Sequence, residues 1–130
     1  MAKKQVFLSF AHQDRPVRDH FVSAAAAEGV PFGFTEMSVK KEWDEQWRVQ
    51  CRYRIRSCDA LIALITAELE ASAGALWEIR TADEIGVPIL GVYAHGASIA
   101  NCPEDLLGKL KADWNWEEIS RFIARASRKH

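Results

Sequence analysis

Glu78 stands among apolar neighbours, with Ala75, Leu76, Ile79 and Ala82 all within about one helical turn of it. A carboxylate so placed is expected to be partly enclosed, the setting in which a fixed charge stabilises an opposite charge developing in a substrate. Taken alone, it reads more readily as a solvated glutamate on a helix. Ser9 and Phe10 close the first apolar run, where a hydroxyl and a ring would face a cleft, although Phe10 suits the core equally well. His12 and Asp14 follow in the next loop, with Asp14 placed to cap the helix that carries Pro16 in its first turn. Ser38 and Lys40 lie in a polar stretch, where Lys40 by itself reads as an exposed surface charge. Trp43 and Trp47 are one turn apart. Trp47 continues an apolar stripe and belongs to the core, whereas Trp43, at the loop edge, is the better ring for stacking on a planar ligand. Trp77 adjoins Glu78, and His95 follows the fourth apolar run as a further polar candidate.

Other groups argue for less. Arg48, Arg52, Arg54 and Arg56 have the charge of a phosphate site, but their spacing spreads them around a helix and favours a solvated face. Cys51, Cys58 and Cys102 are odd in number and show no CxxC pairing, which suits reduced thiols better than a disulfide framework or a zinc site. The four histidines are equally scattered, so no metal is expected. A net charge of −1 lacks the basic excess that broad nucleic-acid binding requires. The apolar run Val6–Leu8 is too short for a signal segment or a membrane span, so a cytoplasmic protein is expected.

The elements that must position these residues alternate regularly. Strands are expected at Gln5–Phe10, Pro31–Thr35, Ala60–Thr66, Val87–Ala94 and Leu110–Trp114. The first is almost wholly apolar, as a strand buried on both faces should be. Helices are expected from Asp14 to near Gly29, Asp44–Ser57, Ala75–Glu84, a short one near Glu104–Lys109, and Trp116–Ala126. Glu36–Asp44 and His95–Pro103 read as loops, Trp114 and Trp116 as packing for the last helix, and Arg125–His130 as a frayed tail. Five βα units with short connections predict one domain over residues 1–130, a five-stranded parallel sheet flanked by helices on both faces, of the flavodoxin-like type. In such sheets ligands bind beyond the carboxyl ends of the strands. The loop after the first strand, Ala11-His12-Gln13-Asp14, has no glycine for a flavin phosphate. Dinucleotide and Walker fingerprints are absent, and the third strand ends in Ile65-Thr66 rather than in a phosphoacceptor aspartate.

The motifs in their order resemble the TIR superfamily. Val6-Phe7-Leu8-Ser9-Phe10 with Asp14 is similar to its first box, and Ile55–Ile65 to the entry into its third strand. Gly74-Ala75-Leu76-Trp77-Glu78-Ile79 followed by Gly86–Leu90 is similar to its acidic helix and fourth strand. Phe34–Lys40 with Trp43 and Trp47 resembles the compact bacterial TIR-like proteins of Thoeris anti-phage signalling. One position departs from the pattern. Many enzymatic TIR domains carry Trp four residues before the catalytic Glu, where this chain has Gly74.

The resemblance implies an NAD-consuming enzyme with Glu78 as its catalytic carboxylate, and with NAD as substrate rather than cofactor. Nicotinamide leaves NAD as a neutral group from a cationic glycoside, so one carboxylate can suffice to stabilise the oxocarbenium-like ribose. Substrate contacts are implied for Ser9, Phe10, His12, Ser38, Lys40, Trp43, Trp77 and His95, with Lys40 meeting the pyrophosphate. The resemblance further implies self-association on activation through the loop after the second strand, and a separate effector protein that senses an ADP-ribose-derived product, cyclic or conjugated. No nucleic acid and no membrane enter as partners. Two other readings stand beside it: a non-catalytic TIR-like interaction module, and a nucleoside deoxyribosyltransferase-like enzyme.

Overall fold

A computed structural model describes residues 3–37 and 39–126. Ser38 and residues 127–130, most of the expected tail, lie outside the described residues. Five strands, β1 (Lys4–Ser9), β2 (Phe32–Thr35), β3 (Ala60–Ile65), β4 (Ile89–Tyr93) and β5 (Leu110–Asp113), form one sheet in the order β2-β1-β3-β4-β5. All four pairings are parallel, with Phe7 opposite Leu61 and Leu61 opposite Ile89. Four α-helices, α1 (Arg15–Glu28), α2 (Glu45–Arg56), α3 (Ala73–Ile85) and α4 (Trp116–Arg125), cover its two faces. The expected α/β architecture is therefore the observed one.

The unbroken apolar strands follow from this layering. Side chains alternate across a strand, and both faces of β3 are covered, so all six of its residues are buried. Leu61, Ala63 and Ile65 pack with Trp47, Cys51, Ile55 and Ile79 from α2 and α3. Ala60, Ile62 and Leu64 face the other way, onto Phe21 of α1 and Ile119 and Ile123 of α4. Each fully buried Leu, Ile or Phe contributes about 1.5–3 kcal/mol of burial free energy. Trp114 and Trp116 pack on Phe21, with ring centroids 5.1 and 4.8 Å away.

Helix ends are chemically marked. Asp44 accepts from Trp47 N at 3.1 Å and caps α2, while Ser72 accepts from Ala75 N at 3.3 Å and caps α3. Gly29 and Gly86 close α1 and α3 in left-handed conformation. Asp14 corrects the expectation of a cap. A 3₁₀ turn, His12–Asp14, precedes α1, and the Asp14 side chain makes no capping bond. Its carboxylate instead accepts from the Thr66 hydroxyl, tying the turn before α1 to the residue after β3. The helix expected near Glu104–Lys109 is shorter, a 3₁₀ turn over Glu104–Leu106. Among the described residues, no helix is long and apolar enough to cross a membrane.

Candidate active site

Ser9 is the last residue of β1, and its side chain turns toward the first half of α3. There Glu78 is completely buried, at 0% exposure. Ser9 Oγ donates to Glu78 Oε1 at 2.8 Å, with the Ala75 carbonyl oxygen at 3.3 Å as its alternative acceptor. Cys51, from α2, places its thiol 3.9 Å from Glu78 Oε2. Burial above all, and the facing Glu78 carboxylate, push that thiol's pKa up, so Cys51 stays protonated and serves as a weak donor.

The third partner of Glu78 comes from the segment between β2 and α2. Lys40 Nζ lies 2.8 and 3.0 Å from the two Glu78 oxygens, and the lysine side chain is only 5% exposed. The ammonium also stands over the Phe10 ring, 4.6 Å from its centroid. Taken alone, Lys40 reads as a surface charge; here it is a buried counter-ion. Glu78 likewise exceeds the expected partial enclosure. Loss of water pushes its carboxyl up to about 7, against the pull of Lys40 and the Ser9 hydroxyl, and the charge of Glu36 adds to the rise.

Gly74 explains how Lys40 gets there. A Cβ at Gly74 would lie 2.6 Å from Lys40 Cβ and 2.9 Å from Glu42 Oε1, closer than atoms can pack. The departure from the TIR pattern is thus the gap into which the β2–α2 segment settles. That segment is held at several points. Trp47 Nε1 donates to the Val39 carbonyl at 2.7 Å, Arg48 to the Glu42 carbonyl at 3.0 Å and Arg54 to the Glu36 carbonyl at 2.6 Å, while Met37 is buried. Two of the four arginines read as a solvated face are therefore fasteners for the loop. Arg52 pairs at the surface with Glu84 at 3.4 Å.

The remaining candidates divide by location. His12, Lys40, Trp43 and Gly74 line an open cleft of about 580 Å³ beside the Glu78 pair. Trp43 is 70% exposed there. Trp77 packs edge-on against Trp47, centroids 5.4 Å apart, within the α2–α3 core. His95 lines a different cavity, of about 300 Å³, with Asp14 and Thr66, and stacks on Trp114. The structure thus gathers Ser9, Phe10, Lys40 and Glu78, puts His12 and Trp43 on the adjoining rim, and leaves Trp77 and His95 apart. Cys51 is a contact that sequence reasoning missed, since it was legible only as one more member of the α2 stripe. Among the described residues, no three His, Cys, Asp or Glu side chains gather as metal ligands.

No family model matches the sequence, and no curated protein matches it. Solved structures do match. One is that of the TIR domains of the activated Roq1 resistosome directly recognising the pathogen effector XopQ. The superposition has a TM-score of 0.50 at 16% identity, over 69% of this chain and 57% of that one. The chain therefore spans little more than half the length of the chain it matches. At that identity the likeness establishes the fold, which is TIR-like.

Proposed function

We propose that the chain is a TIR-like enzyme that cleaves the nicotinamide–ribose bond of NAD. The observation that carries this reading is the setting of Glu78. A lone carboxylate, removed from water and anchored by the Ser9 hydroxyl, already holds a cation above an aromatic ring. Such a site suits a reaction whose transition state is cationic and whose leaving group needs no proton. With Lys40 displaced, the ribose would sit against Glu78. The C1′–N bond breaks with its electron pair passing to the nicotinamide ring, which departs neutral, and the carboxylate stabilises the oxocarbenium-like ribose. Water, the substrate's own adenine or another acceptor then attacks C1′. A cyclic or conjugated product sensed by a separate effector would make the chain a Thoeris-type signal generator in anti-phage immunity, acting in the cytoplasm after self-association.

One observation favours a second reading, a non-catalytic TIR-like interaction module. Lys40 fills the place beside Glu78, while Trp43 and Val39 in the same segment are exposed at 70% and 49%. The test is incubation of concentrated protein with NAD, with and without crowding agent, wild type beside Glu78→Gln, with products resolved by mass. Nicotinamide release by wild type alone supports the enzyme. Equal release by both proteins would sink the role of Glu78. Self-association without turnover, unchanged in Glu78→Gln, would favour the interaction module, and base exchange on deoxynucleosides would favour a deoxyribosyltransferase.

A further inference from the structure

The segment that delivers Lys40 to Glu78 also delivers an anion to a second cation at the same ring. Arg18, on α1, places its guanidinium carbon 5.6 Å from the Phe10 centroid. Its Nη1 meets Glu36 Oε1 at 2.9 Å, a pair in which the side chains are 24% and 14% exposed. Glu36 follows directly after β2, four residues before Lys40. Phe10 therefore carries two cations against its ring, Arg18 and Lys40, and each is matched by a carboxylate. The pairings are crossed. Arg18 belongs to the body of the fold and Glu36 to the segment, whereas Glu78 belongs to the body and Lys40 to the segment. Removing the segment's two charges would leave a fixed anion, Glu78, and a fixed cation, Arg18, both without their partners.

We infer that Arg18 is the anion-binding residue of the site and takes the phosphate nearest the reacting ribose, and that Glu36 and Lys40 occupy the free site as an internal stand-in for a substrate cationic at one end and anionic at the other. The inference rests on the NAD-cleavage reading above and deepens it by naming the residue that takes the substrate's 5′-phosphate. An arginine suits this role because its planar fork grips phosphate through two N–H groups, whereas a lysine offers a point charge. Half of the fork is in use. Arg18 Nε is shielded from solvent and makes no hydrogen bond, although the Asp19 carboxylate lies 2.9 Å away, off the line of its N–H. A phosphate would have to compete with Asp19 as well as Glu36, but the Asp19 side chain is 68% exposed and regains water readily. The pyrophosphate role implied for Lys40 by the family resemblance thus passes to a residue on the rigid helix.

Nicotinamide mononucleotide and nicotinamide riboside differ only in the 5′-phosphate, so their binding by calorimetry isolates the effect. Wild type should bind the mononucleotide more tightly than the riboside. Arg18→Gln should weaken the mononucleotide by about tenfold, the scale of one charge-assisted contact. Glu36→Gln, which removes the internal anion, should tighten it by a similar factor, a gain that damage to the fold would not produce. Neither substitution should move the riboside by more than about twofold. Equal binding of the two ligands by wild type, an Arg18→Gln protein that keeps wild-type affinity, or no binding by any of the three proteins would overturn the inference. Nicotinamide release assayed alongside separates the two layers. The expected binding pattern without release would leave Arg18 in place and remove the cleavage reading. Release from both ligands equally, unaffected by Arg18→Gln, would do the reverse.

Discussion

Two groups of ionisable side chains stand toward the carboxyl ends of the strands, in opposite surroundings. Beside β1, Glu78 and Lys40 are almost wholly removed from water and pair with each other at 2.8 Å, with the Ser9 hydroxyl on the carboxylate and the Phe10 ring under the ammonium. Beyond β4 and β5, His95 lies flat on Trp114, centroids 4.8 Å apart and 19° between planes, with His20 against the edge of the same indole at 5.2 Å. Both imidazoles are exposed. A charge without water must be matched by a partner, so the Glu78 region transmits any change in one residue to the loop, the helix and the strand at once. Rings that keep their water transmit little. The difference marks the Glu78 region as the place where loop position and chemistry are coupled, although both regions hold residues that chemistry could use.

The largest effect is expected at Glu78. Under the proposed reaction, Glu78→Gln lowers nicotinamide release by about 100-fold or more while the circular dichroism spectrum stays that of wild type. A loss smaller than about tenfold would place the chemistry elsewhere.

Lys40→Met removes the partner and leaves the shape. The folded Glu78 carboxyl, at about 7, stands above its ordinary value of 4.5, so folding takes up a proton between these limits. The stability this confers is complete below about 4.5 and is lost as pH rises through about 7. Without the pull of Lys40 the carboxyl is pushed higher still, so above that range the variant must hold a proton that the unfolded chain releases. The variant should therefore lose about 3 kcal/mol against wild type at pH 8, and less than about 1 kcal/mol at pH 5, by urea denaturation. Equal losses at the two pH values would show that the pair is not coupled to titration.

Gly74→Ala sharpens the contrast between regions at the level of packing. In an open helix, replacing Gly by Ala stabilises by up to about 1 kcal/mol. Here the new methyl strikes Lys40, and the net effect should be a loss of about 1–3 kcal/mol, with faster amide exchange in the β2–α2 segment. A stabilised variant with unchanged exchange would mean that the segment does not depend on this gap. The smallest effect is expected on the exposed side. His20→Ala should shift stability by no more than about 0.5 kcal/mol and leave nicotinamide release unchanged.

Much of the fold was legible in the residues themselves. Periodicity separated strands from helices because side chains repeat every second residue on one and about every 3.6 on the other. Gly29, Gly86 and Asp44 marked helix ends through chemistry local to each turn. Asp14 misled because its type suits a cap, while the Thr66 hydroxyl that claims it is 52 residues away. Glu78 stood out through its apolar neighbours and through family likeness, and the Ser9-Phe10 pair through its place at the end of a buried run.

The residues themselves carried the succession of elements and the parallel sheet they imply, because both depend on contacts between near neighbours or on simple alternation, whereas Glu78 was singled out by family likeness. Only the tertiary structure decided that Lys40 is buried rather than exposed, that Glu36 faces Arg18, and that Gly74 is the seat of a loop rather than a missing ring. These facts arise where segments distant along the chain meet. There, the free energy of a charge is set by the water it loses and the partner it gains, and neither is written in the residues on either side of it.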